Sequence, residues 1–114
     1  TVFAEALPQL DVDRAGAWAW RVLRAPWIEG PALADDLNAL GLPGVRFFDF
    51  TQPDLGGIRL HLTDNAVFKP WATAWAILRA LRHRYGDGKL FDHPQARPDW
   101  MTKLTALPHW RDLL

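Results

Sequence analysis

The chain has 114 residues, which suits a single domain and leaves no room for two hydrophobic cores. Thirteen Lys and Arg residues balance thirteen Asp and Glu residues, and no basic stripe typical of nucleic-acid binding is visible. The lack of cysteine excludes disulfides, thiolate metal sites and cysteine nucleophiles. No apolar run approaches the roughly 20 residues that cross a bilayer. Because it begins at Thr1, we expect the chain to be a processed product or a piece of a longer protein.

The first third of the chain predicts either a helix or a strand, followed by a clear helix. Residues 11–24 fit helical spacing, but the stretch from Trp20 to Pro26 also fits the start of a strand, because a residue before proline favours extended geometry. Pro31 then suits the first turn of a helix, and Gly41 suits its end.

Two adjacent strands follow and predict an antiparallel hairpin. Residues 45–50 form a bulky aromatic run, and residues 58–63 lie beyond a turn rich in Pro, Gly and Asp. In the second strand, three apolar residues alternate with Arg59, His61 and Thr63. The apolar and polar side chains should therefore lie on opposite faces of the sheet.

The C-terminal part predicts helices around one long element. Pro70 opens the strongest helix, which ends at Gly86, and its apolar stripe gives Trp71 and Trp75 a role in core packing. Residues 89–91 fit a short strand. A further helix is expected from Asp99 to about Leu107, and a last turn from Pro108 to Leu114. The order of elements predicts an α/β (α+β) single domain, in which helices pack against a small, mainly antiparallel sheet.

His61 is the most informative polar residue. It shares a strand face with Arg59 and Thr63, and Asp64 follows closely. This face either lines a sugar-binding cleft or is simply a solvated outer surface. The four histidines show neither i, i+4 pairing nor an HExxH pattern, so we expect no metal and no other cofactor.

The carboxylates do not form an evident catalytic pair. A typical glycosidase places two carboxyl groups on opposite sides of the scissile bond. The chain has only two glutamates, Glu5 and Glu29, and neither they nor Asp35 and Asp36 have an evident acid/base partner in the sequence. The chain also has no serine nucleophile, because it contains no serine.

Several segments, in order, resemble the C-terminal domain of the NamZ-like exo-β-N-acetylmuramidases, formerly a domain of unknown function. Residues 25–28, APWI, resemble the family's GAPWI-like turn, and residues 37–47, LNALGLPGVRF, follow its next stretch almost letter for letter. Residues 56–64, GGIRLHLTD, are similar to its GGVQIHVTD strand. Residues 68–70 and the C-terminal KLT and RDLL segments also follow the pattern. The resemblance covers residues 19–114 and leaves 1–18 as a poorly defined N-terminal segment.

The resemblance implies an accessory or substrate-cleft domain of a peptidoglycan-degrading exo-β-N-acetylmuramidase that is not catalytic by itself. In the family, a preceding Rossmann-like domain carries the catalytic carboxylate, and nothing in residues 1–114 corresponds to it. The family's SEGRGT-like segment is not recognisable in residues 13–23, and the given chain stops at Leu114, before the family's extended C-terminal tail. The implied partners are that N-terminal catalytic domain and a peptidoglycan-derived sugar of the N-acetylmuramic acid type, with no nucleic acid and no membrane span.

Within the family-like segments, the candidate substrate-binding residues are Trp27, Asn38, Arg46, His61 and Asp64, and no residue is assigned a catalytic role. The resemblance implies a secreted or periplasmic location, while the sequence itself leaves the cytoplasm open. Two alternatives remain. A stand-alone carbohydrate- or protein-binding module would show an exposed aromatic patch near Trp18 and Trp27. A small hydrolase would need two carboxylates that converge, from among residues such as Glu29, Asp35 and Asp49.

Overall fold

The computed structural model describes residues 6–13, 16 and 21–114. In chain order, the elements are β1 (Val22–Ala25), α1 (Gly30–Asn38), β2 (Val45–Asp49), β3 (Gly56–Leu62), α2 (Pro70–Tyr85) and α3 (Asp99–Thr105). Short 3-10 turns lie at Asp87–Lys89 and Trp110–Leu113.

The strands form one antiparallel sheet in the order β1-β3-β2. β3 lies in the centre, where Ile58 pairs with Leu23 on one side and with Asp49 on the other. The predicted hairpin and the small antiparallel sheet are therefore confirmed. Between the two alternatives for the first segment, residues 22–25 form the strand, while Trp18 and Trp20 lie outside the described residues.

The sheet buries one face beneath the helices. We call this the inner face. It carries Leu23, Phe47 and Ile58, which pack with Leu33 and Leu37 of α1 in one apolar cluster. α1 contacts both the sheet and α2, so the layers run from sheet to α1 to α2. At about 25 cal/mol per Å² of apolar surface, this burial is the main favourable term in folding.

α2 follows the sequence prediction at both ends. Pro70 lies in its first turn, where a missing N–H costs nothing, and Gly86 ends it with a φ of +81°. Ala74, Leu78 and Leu81 are buried along its inner stripe. The last turn carries three basic side chains, which complement the negative end of the helix dipole.

Two expectations are wrong. Residues 89–91 do not form a strand, because local turns satisfy their backbone: Leu90 N–H and Asp92 N–H both donate to the Asp87 carbonyl. Phe91 is instead buried edge-on against Trp110, with ring centroids 4.5 Å apart. The helical stripe predicts that Trp71 packs in the core, but Trp71 is 57% exposed, because the buried residues of α2 begin only at Thr73. Trp75 is partly buried against the core, as expected.

Candidate functional site: the outer face of the sheet

The sheet face opposite α1, which we call the outer face, carries a cluster of basic and aromatic side chains. The period-2 alternation of the strands places Arg46 and Phe48 of β2 on this face, together with Arg59 and His61 of β3. In the antiparallel register, Arg46 is the direct partner of His61 and Phe48 is the direct partner of Arg59. The four side chains therefore form two adjacent rows across the hairpin.

The row of Arg46 and His61 lies towards the end of β3. Both residues are exposed. The His61 ring meets Phe48 edge-on, with centroids 6.2 Å apart. Arg46 makes no ion pair or hydrogen bond through its side chain in the part of the chain that the structure describes. Since none of the described residues engages it, the Arg46 guanidinium is available to a ligand.

The second row combines an aromatic ring with a cation. The Arg59 guanidinium lies over the Phe48 ring, 5.0 Å from its centroid, at a distance suited to a cation–π interaction. Phe48 remains 42% exposed. The ring thus lies between His61 and Arg59 and offers an apolar platform beside the basic groups.

At the opposite end of the outer face, ion pairs neutralise the positive charge of the arginine. Arg24 of β1 pairs with Asp11 at 2.8 Å and with Asp13 at 3.5 Å. Gly57, its partner on β3, leaves room for this side chain, since a Cβ there would lie 2.7 Å from Arg24 Cγ. The outer face therefore keeps a positive charge without an ion-pair partner, among the described residues, at the Arg46–His61 end.

Asp64 lies beyond β3, at the same end of the sheet as His61. Its Oδ1 accepts a hydrogen bond of 2.9 Å from Ala66 N–H, which fixes the turn that leads to α2. Gly44 holds this turn against the sheet, because its carbonyl accepts from Thr63 N–H at 2.9 Å. Asp64 is exposed, and the Ala66 N–H is the partner that the structure shows for its carboxylate.

Asn38 has a defined structural role at the edge of β2. Its amide donates to the Phe47 carbonyl at 2.8 Å, and its Oδ1 accepts from Phe47 N–H at 2.9 Å. These are the two backbone groups that Phe47 turns away from β3. Both ends of the Asn38 carboxamide are thus engaged within the domain.

Trp27 lies at the other end of the sheet, after β1. Its ring meets Tyr85 edge-on at 4.9 Å, and the Tyr85 hydroxyl oxygen accepts from Glu29 N–H at 2.8 Å. Burial raises the pKa of Tyr85 above its usual value. His61 is five residues along β3 from Gly56, the partner of Ala25, or about 17 Å at the usual strand rise. Trp27 therefore does not join the Arg46–His61 row.

The carboxylates near α1 form an ion-pair cluster with Arg84. Arg84 binds Asp36 through two hydrogen bonds of 2.8 and 3.0 Å, and Glu29 lies 3.9 Å from the same guanidinium. The hydrogen bond from Arg84 holds the pKa of Asp36 below its usual value. Asp36 is thus kept ionised, unlike the general acid of a glycosidase, whose pKa is raised. Asp35 is exposed, and the Asp49 carboxylate accepts from Thr51.

A concavity of about 610 Å³ opens between α1 and α2. Both of the arginines that line it are engaged within the domain: Arg84 with Asp36, and Arg79 with the Leu113 carbonyl at 2.9 Å. The rest of its lining consists of Leu40, His83 and two alanines of α2. Its cationic groups therefore serve mainly to join α1, α2 and the C-terminal turn.

Of the five candidate residues, the structure brings Arg46 and His61 together, with Asp64 at the same end of the sheet. Phe48 was missed, although its alternation with Arg46 in the 45–50 run places both on one face. Along the described residues, no helix is both long and apolar enough to cross a bilayer. Within the same residues, no three His, Asp or Glu side chains gather as a metal site requires.

A comparison with protein-family models identifies the family of this chain. A family model described as the C-terminal part of the exo-beta-N-acetylmuramidase NamZ matches residues 1–114. The chain therefore belongs to the family of NamZ C-terminal domains, which is related to glycoside hydrolases.

A solved structure supports the fold. A DUF1343 family protein from Bacteroides fragilis superimposes with a TM-score of 0.70 at 23% identity, over 81% of this chain. This chain spans 27% of the length of that protein. No curated protein matches the chain.

Proposed function

We propose that this domain forms one wall of the substrate cleft of a peptidoglycan-degrading exo-β-N-acetylmuramidase and is not catalytic by itself. A preceding Rossmann-like domain of the parent protein supplies the catalytic carboxylate. The observation that carries the proposal is the match of residues 1–114 to the NamZ C-terminal family. The parent protein would act outside the cytoplasmic membrane, in a secreted or periplasmic setting, where peptidoglycan lies.

The outer face is the surface of the domain best suited to this role. A sugar needs hydrogen-bonding groups for its hydroxyls and an apolar surface for its C–H faces. Arg46 and His61 offer the first, and the exposed ring of Phe48 offers the second. Asp64 lies at the same end of the sheet and adds a carboxylate acceptor. Asn38 contributes indirectly, because its hydrogen bonds to the Phe47 backbone hold the edge of β2 against α1.

The carboxylates favour an accessory role over an independent hydrolase. A glycosidase acid needs a carboxyl group that holds its proton near neutral pH. Asp36 has the opposite environment, because Arg84 lowers its pKa, and Glu29 is drawn towards the same arginine. We therefore expect the chain alone to release no product from a chromogenic N-acetylmuramide. Turnover that is lost on replacing Glu29 or Asp36 would contradict the accessory role.

Titration with N-acetylmuramic acid, followed by amide NMR, tests the binding role. Millimolar affinity corresponds to only about 4 kcal/mol, so ligand concentrations up to about 10 mM are appropriate. We expect the amide signals of Arg46, Phe48 and His61 to shift together, while those of the buried helix residues Leu78 and Leu81 stay in place. No shift around His61 at the highest concentration would overturn the substrate-cleft role.

A further inference from the structure

The Arg46–His61 row has the geometry to hold one oxyanion. Arg46 and His61 are directly opposed in the register of β2 and β3. The Cα atoms of such partners lie about 5.5 Å apart or less, so both side chains can reach a single group above the sheet. A guanidinium presents a planar fork of N–H donors that fits the two oxygens of a carboxylate, and the imidazole adds a further donor.

The charge environment of Arg46 differs from that of the arginines that stabilise the fold. Arg24, Arg82, Arg84 and Arg111 each form an ion pair with an aspartate. Within residues 6–13, 16 and 21–114, no carboxylate pairs with Arg46. The outer face is therefore neutralised at the Arg24 end and open to an anion at the Arg46 end.

The aromatic ring beside this row indicates what the anion is attached to. Phe48 lies between His61, at 6.2 Å, and Arg59, at 5.0 Å, and is 42% exposed. A small inorganic anion would gain nothing from this ring. A sugar ring that carries a carboxylate can pack its C–H face against Phe48 and place its carboxylate over Arg46 and His61.

We propose that Arg46 and His61 bind the carboxylate of an acidic sugar, with Phe48 as the platform for the sugar ring. This inference rests on the proposed function, since it names the group of the cleft ligand that the domain recognises. It assigns selectivity for acidic over neutral amino sugars to the outer face of the sheet.

The test compares three ligands by amide NMR on the full 114-residue chain: N-acetylmuramic acid, the neutral N-acetylglucosamine and inorganic phosphate. Loss of a hydrogen bond to a charged group is expected to weaken binding about tenfold or more. N-acetylglucosamine should therefore bind at least about tenfold more weakly than N-acetylmuramic acid. R46Q should remove most of this preference, and H61Q should reduce it by a smaller factor.

R97Q is the matched control, because it removes one positive charge from an exposed arginine that lies beside Trp100, at the start of α3. It should bind N-acetylmuramic acid like the unmodified chain. Equal binding of the two sugars, or full affinity in R46Q, would overturn the carboxylate assignment while the sugar-binding role stands. Phosphate binding at the same amides, as tight as that of N-acetylmuramic acid, would reassign the row to phosphate. No shift with either sugar would overturn this inference and the proposed function together.

Discussion

Replacing Asn38 with alanine removes the two hydrogen bonds that join α1 to the edge of β2. The Phe47 N–H and carbonyl then lose their partners at 2.9 and 2.8 Å, and Phe47 is only 2% exposed. Each unpaired buried polar group costs about 1–3 kcal/mol. We use the lower figure for both groups, because an edge strand lies close to solvent.

The expected magnitude follows from these two terms and from helix propensity. Two groups at about 1 kcal/mol each destabilise the fold by about 2 kcal/mol. Alanine returns about 0.5 kcal/mol through its better helix propensity, so the net loss is about 1.5 kcal/mol. With a urea dependence of about 1.5 kcal/mol per M, the unfolding midpoint should fall by about 1 M.

Urea unfolding followed by tryptophan fluorescence measures this change. D35A is the matched control, since Asp35 lies on the same helix, is exposed, and should shift the midpoint little. N38D should be destabilised at least as much as N38A, because a carboxylate oxygen would then face the Phe47 carbonyl. If the N38A midpoint equals that of D35A, the two hydrogen bonds do not stabilise the strand edge and the reasoning fails.

Two further substitutions test the contact of Gly44 with the loop after β3 and the ion pair of Asp36 with Arg84. G44A should lower the melting temperature much more than G41A. Both glycines have positive φ, but a Cβ at Gly44 would lie 2.4 Å from the backbone carbonyl oxygen of Asp64, whereas a Cβ at Gly41 would meet nothing within 4 Å. Equal losses in the two variants would contradict this. Arg84 lowers the pKa of Asp36, so the ion pair stabilises the fold at pH values above the ordinary aspartate pKa. This contribution disappears as the pH falls through the lowered pKa of Asp36. The urea midpoint of D36N should therefore lie below that of the unmodified chain at pH 6 and approach it below about pH 4, whereas a constant gap down to pH 2 would exclude the mechanism.

The regular elements were the most predictable part of the fold. The bounds of α2 follow from Pro70 and Gly86, which act locally on the backbone, and the two faces of β3 follow from strict alternation. The expected strand at residues 89–91 failed because a run of two apolar residues does not distinguish a strand from a buried turn. The aromatic partner of Phe91 is Trp110, which lies far along the sequence.

The candidate site could be predicted only in part, because two of the five candidate residues, Asn38 and Trp27, have partners that lie far along the sequence. His61 and Arg46 were identified from the family-like segments, and their pairing follows from the hairpin register. The hydrogen bonds of Asn38 to Phe47 and the contact of Trp27 with Tyr85 depend on how α1 and α2 pack, which no local pattern encodes. Phe48 could have been found by extending the alternation of β3 to β2.

The two edges of the sheet have a consequence for how this domain can meet another. The outward backbone groups of Phe47 on β2 are occupied by Asn38, and those of Arg24 on β1 are occupied by Asp11 at 2.8 and 2.9 Å. An incoming strand would have to displace these partners before it could extend the sheet. A neighbouring domain should therefore join through side chains on a face or a helix, an interface that can open and close without breaking the sheet.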